Sequence, residues 1–137
     1  MTPERAADIA ARAYQHMAPW RAEDIAAMLR RPHTILSASE HAFVLGQVIA
    51  DEAEIFALAA DPDHHRTGQA SIAFAHFLSD AAARGATQVF LEVSAENAPA
   101  IAFYEAKGFI RAGVRRGYYR SPHEKAVDAV VMRLDLP

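Results

Sequence analysis

The sequence predicts an α/β fold, in which a mixed sheet of six or seven strands is flanked by about four helices. Apolar residues between His33 and Ala60 fall into three short runs separated by polar breaks, which indicates an antiparallel meander. From about Glu52 to Val93 a strand, a loop, a long helix and a second strand follow one another, and such a unit places its two strands parallel. The 137 residues contain no repeat or linker, so we expect a single domain over residues 1–137.

The composition excludes several classes of protein. A net charge of −3 argues against nucleic-acid binding, which needs a basic surface. The absence of cysteine excludes a disulfide framework, thiolate zinc ligands and a cysteine nucleophile. The seven histidines are scattered, and His64 and His65 are adjacent rather than four residues apart, so we expect no metal site. No signal pattern and no apolar run near the roughly 20 residues that span a bilayer are present, so we expect a cytoplasmic protein away from the membrane.

Two helices are predicted before the first strand. Thr2 is a good N-cap, and Pro3 suits the first helical position because its missing N–H removes no helical hydrogen bond. This alanine-rich helix is expected to run to about Met17 and to be broken at Pro19. A second, short helix is predicted over Ala22–Leu29.

A long helix is predicted after Gly68, with its end near Gly85. Its apolar residues are spaced at i, i+3, i+4 and i+7, and they are Phe74, Phe77, Leu78 and Ala81. The next segment, Gln88–Val93, is rich in β-forming residues and predicts a strand.

The C-terminal third predicts one further helix and two strands. Asn97 is a good cap for a helix that closes at Gly108. Strands are predicted near Ile110–Arg115 and Val127–Leu134, and a polar, aromatic loop joins them.

The loop from His65 to Ser71 is suited to an anion. It lies between a strand and the N-terminus of a helix, where free backbone N–H groups and the helix dipole both favour negative charge. Gly68 has no Cβ and lets a ligand approach the backbone, while Arg66 adds a positive charge. A glycine before a helix is also a common plain connection, and this alternative stays open here. The residues of the predicted anion site are His65, Arg66, Thr67, Gly68, Gln69, Ala70 and Ser71.

Glu92 and Tyr104 are the candidates for acid–base chemistry. A carboxylate can take a proton from a substrate as a general base, and a phenol can give one to a leaving group as a general acid. Glu92 lies within the otherwise apolar end of a strand, and Tyr104 lies within the helix after Asn97. The alternatives are a solvent-facing glutamate in an alternating strand and a core tyrosine at helical spacing from Ile101.

Three segments resemble the RimI-type enzymes of the GNAT superfamily of N-acetyltransferases. The pattern LEV…N…A..FYE..GF is present as Leu91-Glu92-Val93, Asn97, Ala100, Phe103-Tyr104-Glu105 and Gly108-Phe109. The anion loop is similar to the GNAT acetyl-CoA motif Gln/Arg-x-x-Gly-x-Gly/Ala at Gly68 and Ala70, and departs from it at His65 and Gln69. The string Arg115-Arg116-Gly117-Tyr118-Tyr119, followed by Asp128-Ala129, resembles the RR-x-YY…DA ending of the family.

The resemblance implies an enzyme with the GNAT fold that moves acetyl from acetyl-CoA to a protein α-amine by direct attack. The implied acceptor is the N-terminal alanine of ribosomal protein S18. Glu92 would be the general base, through water, and Tyr104 the general acid. Asn97 would contact the cofactor. The main chain of Leu58, Ala59 and Ala60 would bind the pantetheine arm.

The resemblance also suggests an acceptor side. Tyr118 and Tyr119, on the predicted loop, can wall a peptide channel together with Arg116. The alternative is that both tyrosines pack on the sheet while the arginines face solvent. Trp20 also matches the family and either lines the acceptor side or serves as a structural anchor.

Two rival functions and one structural departure stay open. A GNAT enzyme for a small amine (a polyamine, an aminoglycoside or an amino acid) would predict an acidic acceptor pocket. A non-catalytic acyl-CoA-binding or partner-binding module would predict binding without turnover. RimI-type chains usually begin with a strand, whereas this one opens on Thr2-Pro3, so the first strand is expected to be short or missing. That would leave a sheet edge open to another chain, and we expect a monomer or a weak homodimer.

Overall fold

The computed structural model describes residues 1–14, 20–64, 66–120 and 126–137, with the backbone alone at 119 and 120. The helices are α1 (Pro3–Ala13), α2 (Ala22–Leu29), α3 (Gln69–Ala83) and α4 (Ala98–Ala106). The strands are β1 (Thr34–Ala38), β2 (Ala42–Ile49), β3 (Glu52–Ala60), β4 (Gln88–Ser94), β5 (Ile110–Arg120) and β6 (Ala126–Asp135). A short 3₁₀ turn, Pro62–His64, follows β3.

The strands form one mixed sheet in the order β1-β2-β3-β4-β6-β5. β3 and β4 run parallel with α3 as their crossover, and the other neighbours are antiparallel. The predicted α/β fold, the antiparallel meander and the parallel pair are therefore confirmed. Within the described ranges no strand precedes α1, as expected, so β1 forms one edge of the sheet. None of the described helices has both the length and the apolar character needed to cross a bilayer.

The parallel strands β3 and β4 pair over only part of their length. Their register runs from Glu52 opposite Gln88 to Ile55 opposite Leu91, and there it stops. β3 continues to Ala60 and remains paired with β2, while β4 continues and remains paired with β6. The sheet therefore opens into a V between residues 56–60 of β3 and residues 92–94 of β4.

A β-bulge in β3 lies where the two strands separate. Leu45 of β2 pairs with Ala57, whereas the next residue, Gly46, pairs with Ile55. Phe56 is therefore the extra residue of β3. A bulge bends its strand and increases the local twist, which directs the end of β3 away from β4.

The bulge also changes which face of the sheet the residues of β3 meet. Before it, Ala53 and Ile55 belong to the core formed with α3 and α4. After it, Ala57 and Ala59 belong to the second core, which the sheet forms with α1 and α2. A regular strand would keep these four residues on one face because its side chains alternate with a period of two.

Gly46 is required at the position opposite this bulge. A Cβ at residue 46 would lie 2.8 Å from the ring of Phe77 on α3 and would also collide with the carbonyl oxygen of Glu54. The space that a side chain would fill is therefore taken by α3 and by the backbone of β3. Only glycine lets the three elements approach one another so closely.

The first helix is shorter than predicted. α1 ends at Ala13, because Tyr14 takes an extended conformation with φ −79° and ψ 130°. The expected continuation to Met17 was wrong at Tyr14, and residues 15–19 lie outside the described residues. The predicted N-cap is confirmed, since the backbone N–H of Arg5 donates to Thr2 Oγ1 at 3.1 Å.

The strand β5 is longer than predicted. It continues to Arg120, so Tyr118 and Tyr119 lie in a strand and not in a loop. Antiparallel pairing with β6 explains the difference, because Tyr119 lies opposite Val127 and Arg120 lies opposite Ala126. A short polar segment that finds backbone partners on a neighbouring strand becomes part of the sheet despite its weak apolar pattern.

Candidate active site in the split of the sheet

The split between β3 and β4 contains a cleft of about 340 Å³. This volume lies within the range of roughly 300–1,000 Å³ that is usual for small-molecule sites. The cleft is lined by β3 beyond Ile55, the end of β4, the start of α4 and the end of α1. Residues 56–60 of β3 and residues 92–94 of β4 do not pair with each other across the cleft. Their main-chain groups on that side can therefore bind the amides of an extended ligand.

Leu58, Ala59 and Ala60 all line the cleft. The side chain of Ala59 belongs to the core under α1, while Leu58 and Ala60 pack against the core under α3 and α4. These small and apolar side chains leave the main chain of β3 accessible along the cleft. The structure thus brings the predicted pantetheine-binding residues to one wall.

The predicted anion site lies at the N-terminus of α3. Gly68 is its N-cap and has a φ of 78°, in the left-handed region that favours glycine. No side chain of the described residues caps this end, and the first turn of α3 contains no acidic residue. In contrast, α1 and α4 have side-chain caps. A helix N-terminus without a cap or an acid retains N–H groups for an anion.

The other loop residues have different environments. Arg66, Thr67 and Gly68 are exposed, whereas Gln69, Ala70 and Ser71 are half-buried in the first turn of α3. Arg66 also has a positive φ of 61°. His65, also predicted to belong to this site, lies outside the described residues. The loop follows the turn Pro62–His64 that leaves β3, and none of its described residues lines the cleft.

Gln69 anchors this loop to the turn between β1 and β2. Its side-chain Oε1 accepts a hydrogen bond from the backbone N–H of His41 at 2.9 Å, and its carbonyl accepts one from Ser39 Oγ at 2.9 Å. In the sequence, Gln69 was only a departure from the family's usual aliphatic residue. The structure shows a specific structural contact for it. Its partners are about 30 residues away in the chain, so no local pattern indicated this contact.

Arg12 of α1 was not predicted, and it closes one end of the cleft. Its guanidinium donates two hydrogen bonds to the buried Asp61, at 2.8 and 2.9 Å. These hydrogen bonds hold the pKa of the Asp61 carboxyl below its usual range, with help from the backbone N–H of Asp63. The pair fastens α1 to the end of β3, next to the anion loop.

A group of potential metal ligands lies beside this ion pair. One ligand atom each of His41, Asp61 and His64 lie within 4.8 Å of one another, and the two imidazole rings stack at 3.5 Å. Both oxygens of Asp61 already bind Arg12, and Arg5 Nη2 lies 3.2 Å from His41 Nδ1. Two guanidinium groups oppose a bound cation. The sequence-based expectation of no metal site therefore stays our prediction.

Glu92 lies in the cleft just beyond the last pair between β3 and β4. About 20% of its side chain is exposed, and its Oε1 forms an ion pair with Arg115 Nε at 3.0 Å. Arg115 belongs to β5, two strands away in the sheet. The sequence pattern drew attention to Arg116, but the structure brings Arg115 to the carboxylate.

Tyr104 reaches the cleft from the opposite face of the sheet. It is 7% exposed and packs edge-on against Phe103 and Phe109 of the α4 region, at 5.5 and 5.4 Å. Leu91 and Val93 share this core with it, so Glu92, which lies between them in β4, points to the other face. Because the strands are separated here, groups from both faces can meet in one gap. Tyr104 thus packs in the core, which was the alternative to a role as an acid, and it also lines the cleft; the acid role stays a prediction.

Asn97 lies at the junction of β4 and α4 and also lines the cleft. Its Oδ1 accepts the backbone N–H of Ala100 at 3.3 Å, so the predicted helix cap is confirmed. A cap at this position sets the direction in which α4 leaves the sheet. It thereby helps to place Tyr104, which lies two turns further along.

Two of the four predicted acceptor residues contact residues of the cleft or of the Glu92 ion pair. The ring of Trp20 packs on that of Phe56, which lines the cleft, at 6.4 Å. The ring of Tyr118 lies 5.2 Å from the guanidinium carbon of Arg115. Arg116 is exposed on β5, and nothing is described for the side chain of Tyr119.

Comparisons with known proteins show which family this chain resembles. The model of the family described as "Acetyltransferase (GNAT) family" matches residues 5–109. The ribosomal protein bS18-alanine N-acetyltransferase of Escherichia coli (strain K12) is 41% identical over 95 residues, which are 69% of this chain and 64% of that protein. The match therefore spans less than two thirds of the relative's length.

Two solved structures share the fold. The crystal structure of the ribosomal-protein-S18-alanine N-acetyltransferase from Escherichia coli aligns with a TM-score of 0.84 at 33% identity, over 97% of this chain and 86% of that one. Arabidopsis thaliana NAA60 in complex with acetyl-CoA aligns with a TM-score of 0.83 at 14% identity, over 98% of this chain and 93% of that one. At that identity the second likeness concerns the fold alone.

Proposed function

The chain belongs to the GNAT acetyltransferase family, and we propose that it transfers an acetyl group from acetyl-CoA to the α-amine of a protein N-terminus. The observation that carries the proposal is the split of the sheet, where Glu92 and Tyr104 reach one cleft from opposite faces. The proposed acceptor is the N-terminal alanine of ribosomal protein S18, which is the substrate named for the Escherichia coli relative.

The residues of the cofactor side fit acetyl-CoA by their chemistry. The N-terminus of α3 at Gly68 lacks a cap and an acid, which suits a diphosphate. The main chain of β3 from Leu58 to Ala60 lacks strand pairing toward the cleft and suits the amides of pantetheine. Asn97 lies across the cleft from that strand. When bound, the cosubstrate supplies a thioester carbonyl that is activated toward an amine.

The proposed chemistry divides proton transfer between two residues. The acceptor arrives as an ammonium, since a free α-amine has a pKa of roughly 8. Glu92 removes protons from this nitrogen, through water, so that its electron pair can form the C–N bond. As the C–S bond breaks, Tyr104 donates its proton to the departing thiolate. Placement on opposite faces suits these roles, because the nucleophile enters and the leaving group departs on different sides of the carbonyl carbon.

The acceptor peptide is proposed to lie on the face of the sheet that carries Glu92. Trp20 and Tyr118 flank that face, since they contact Phe56 and Arg115 respectively. Aromatic rings offer apolar contact together with a hydrogen-bonding group, which suits the short side chains and the backbone of an N-terminal peptide. Arg116 and Tyr119 belong to the same strand as Tyr118 and remain part of the proposed acceptor side.

The experiment that tests this function is a substrate panel. The protein is incubated with acetyl-CoA and a mixture of an S18 peptide that begins with alanine, an N-blocked lysine peptide and spermidine. Mass spectrometry then locates the acetyl group. We expect acetylation of the α-amine of the alanine peptide. Modification of spermidine alone would favour the rival small-amine enzyme, and binding of acetyl-CoA without any acetylated product would favour the non-catalytic module.

A further inference from the structure

A second carboxylate lies beside Glu92 on the same face of the sheet. Glu54 of β3 pairs with Phe90 of β4, and Glu92 follows two residues later. Strand spacing of about 4.8 Å and a rise of about 3.3 Å per residue place the two glutamate Cα atoms about 8 Å apart. The flanking residues Ala53 and Ile55 face the core under α3, so Glu54 points to the opposite face, as Glu92 does. Two long acidic side chains therefore lie on one face of the sheet at the point where β3 and β4 separate. Glu92 lines the cleft, and Glu54 lies one residue before the last pair between the two strands.

The charges around Glu54 come from three strands. They are Glu52 on its own strand, Glu92 on β4 and Arg115 on β5, and the side chain of Gln47 on β2 also makes a hydrogen bond with the Glu54 carboxylate. The only close cation among these groups, Arg115, binds Glu92 at 3.0 Å. Glu54 and Glu92 together with Arg115 leave one negative charge, which is complementary to an ammonium ion.

The electrostatics of Glu54 indicate a group that is unfavourable for folding. Desolvation of its carboxylate, and then the neighbouring Glu92, raise the pKa of Glu54 above its ordinary value, although the residue is exposed at the surface. The pair with Glu92 thus costs folding free energy near neutral pH. Groups that are tolerated despite such repulsion are concentrated at functional sites.

We propose that Glu54 is a second acid–base residue of the acceptor site, which with Glu92 binds the substrate ammonium and accepts one of its protons. This inference rests on the proposed function, in which Glu92 is the base. It is specific for cationic amines, because a neutral acceptor would gain nothing from the second carboxylate.

The proton inventory of the reaction gives Glu54 a defined task. The nitrogen loses two protons, one before and one after the C–N bond forms, and in each loss an N–H bond breaks while its electron pair stays on nitrogen. The first proton forms an O–H bond on Glu54, so Glu92 remains charged and accepts the second. Tyr104 gives its own proton to the thiolate. One of the two carboxyl protons then returns through water to the Tyr104 phenolate, and the other passes to solvent.

The test compares Glu54→Gln with Glu52→Gln, since both residues lie on the same face of β3 and only Glu54 adjoins Glu92. The measurements are kcat/KM for the accepted amine across pH, the Kd of coenzyme A, and the Tm. For Glu54→Gln we expect kcat/KM to fall by about tenfold or more, as for loss of an acid–base group. The pH below which kcat/KM falls off should also become lower, because the variant no longer contains the carboxyl group with the raised pKa. The Kd of coenzyme A should not change, and Glu52→Gln should behave like the wild type.

The Tm separates this role from a structural one. A raised carboxyl pKa destabilises the folded state above the ordinary pKa, so Glu54→Gln should raise the Tm at neutral pH, and the gain should vanish below about pH 4. A lower rate with a higher Tm supports the proposal. An unchanged rate and pH profile overturn it, and so does an equal loss in Glu52→Gln. If spermidine proves to be the only acceptor, the proposed function fails by itself, and the same comparison of variants is then made with spermidine.

Discussion

The two sides of the split are built from different kinds of groups. On the cofactor side, most of the proposed contacts come from main chain, along β3 at Leu58–Ala60 and at the α3 N-terminus near Gly68, and Asn97 is the added residue across the cleft. On the acceptor side they come from side chains, with Glu92 at the centre and the rings of Trp20 and Tyr118 around it. A main-chain site tolerates changes of side chain as long as the backbone keeps its path. The cofactor side should therefore be sensitive to conformation, and the acceptor side to chemical identity.

The largest effect is expected from Glu92→Gln and Tyr104→Phe, which change chemistry and leave the backbone path intact. Each should lower kcat by at least about tenfold, because one proton transfer loses its catalyst. Coenzyme A should bind each variant as it binds the wild type, since neither residue belongs to the main-chain contacts. Steady-state kinetics and calorimetric titration with coenzyme A measure the two quantities. Wild-type turnover in both variants would refute the proton-transfer roles.

Gly46→Ala should have the next largest effect, and it acts on the path of β3. The added Cβ would collide with the carbonyl oxygen of Glu54 and with the ring of Phe77, so strands or helix must shift. We expect the free energy of unfolding to fall by about 1–3 kcal/mol, as for other overpacked sites. Urea denaturation measures this. Gly113→Ala is the matched control, because its Cβ would find its nearest neighbour, Val131, at 4.0 Å, and an equal loss in both variants would contradict the role of Gly46.

A smaller effect is expected from Gly68→Ala, with Gly85→Ala as its control. The two glycines lie at opposite ends of α3, both have positive φ (78° and 90°), and neither has an atom within 4 Å of an added Cβ. A left-handed alanine costs about 1–2 kcal/mol, so both variants should lose similar stability. Only Gly68→Ala should also bind coenzyme A more weakly, as titration would show. Equal affinities for coenzyme A in both variants would remove the anion site from this helix end.

The smallest effect is expected from Arg12→Met, and it depends on pH. Since Arg12 lowers the pKa of Asp61 from its ordinary value of 3.8, the ion pair stabilises the fold above that value. This stabilisation is lost as the pH falls through the lowered pKa. The variant should therefore have a lower Tm than the wild type at pH 7, and the difference should narrow below about pH 4. The control is Arg21→Met, whose ion pairs with Glu23 and Asp24 are exposed and should contribute little.

Features that depend on neighbours in the chain could be predicted from the sequence. The N-caps Thr2 and Asn97 and the apolar face of α3 are set within one or two helical turns. The parallel pairing of β3 with β4 follows from a single strand–helix–strand unit. Glu92 and Tyr104 could likewise be singled out from one short motif. In each case the pattern that predicts the feature lies within a few consecutive residues or within one supersecondary unit.

Features that depend on register and sheet order were decided only by the tertiary structure. Arg115 reaches Glu92 across β6, which lies between their strands, and Glu54 shares the face of Glu92 because the parallel register places it opposite Phe90, two residues before Glu92. The bulge at Phe56 exchanges the two faces of β3, which no alternation of apolar residues revealed. Sheet registers result from the packing of many distant residues at once, and a shift of one residue turns every side chain to the other face. The sequence by itself therefore determined the local elements and the candidate acid–base residues, whereas the folded sheet decided which charges surround Glu92.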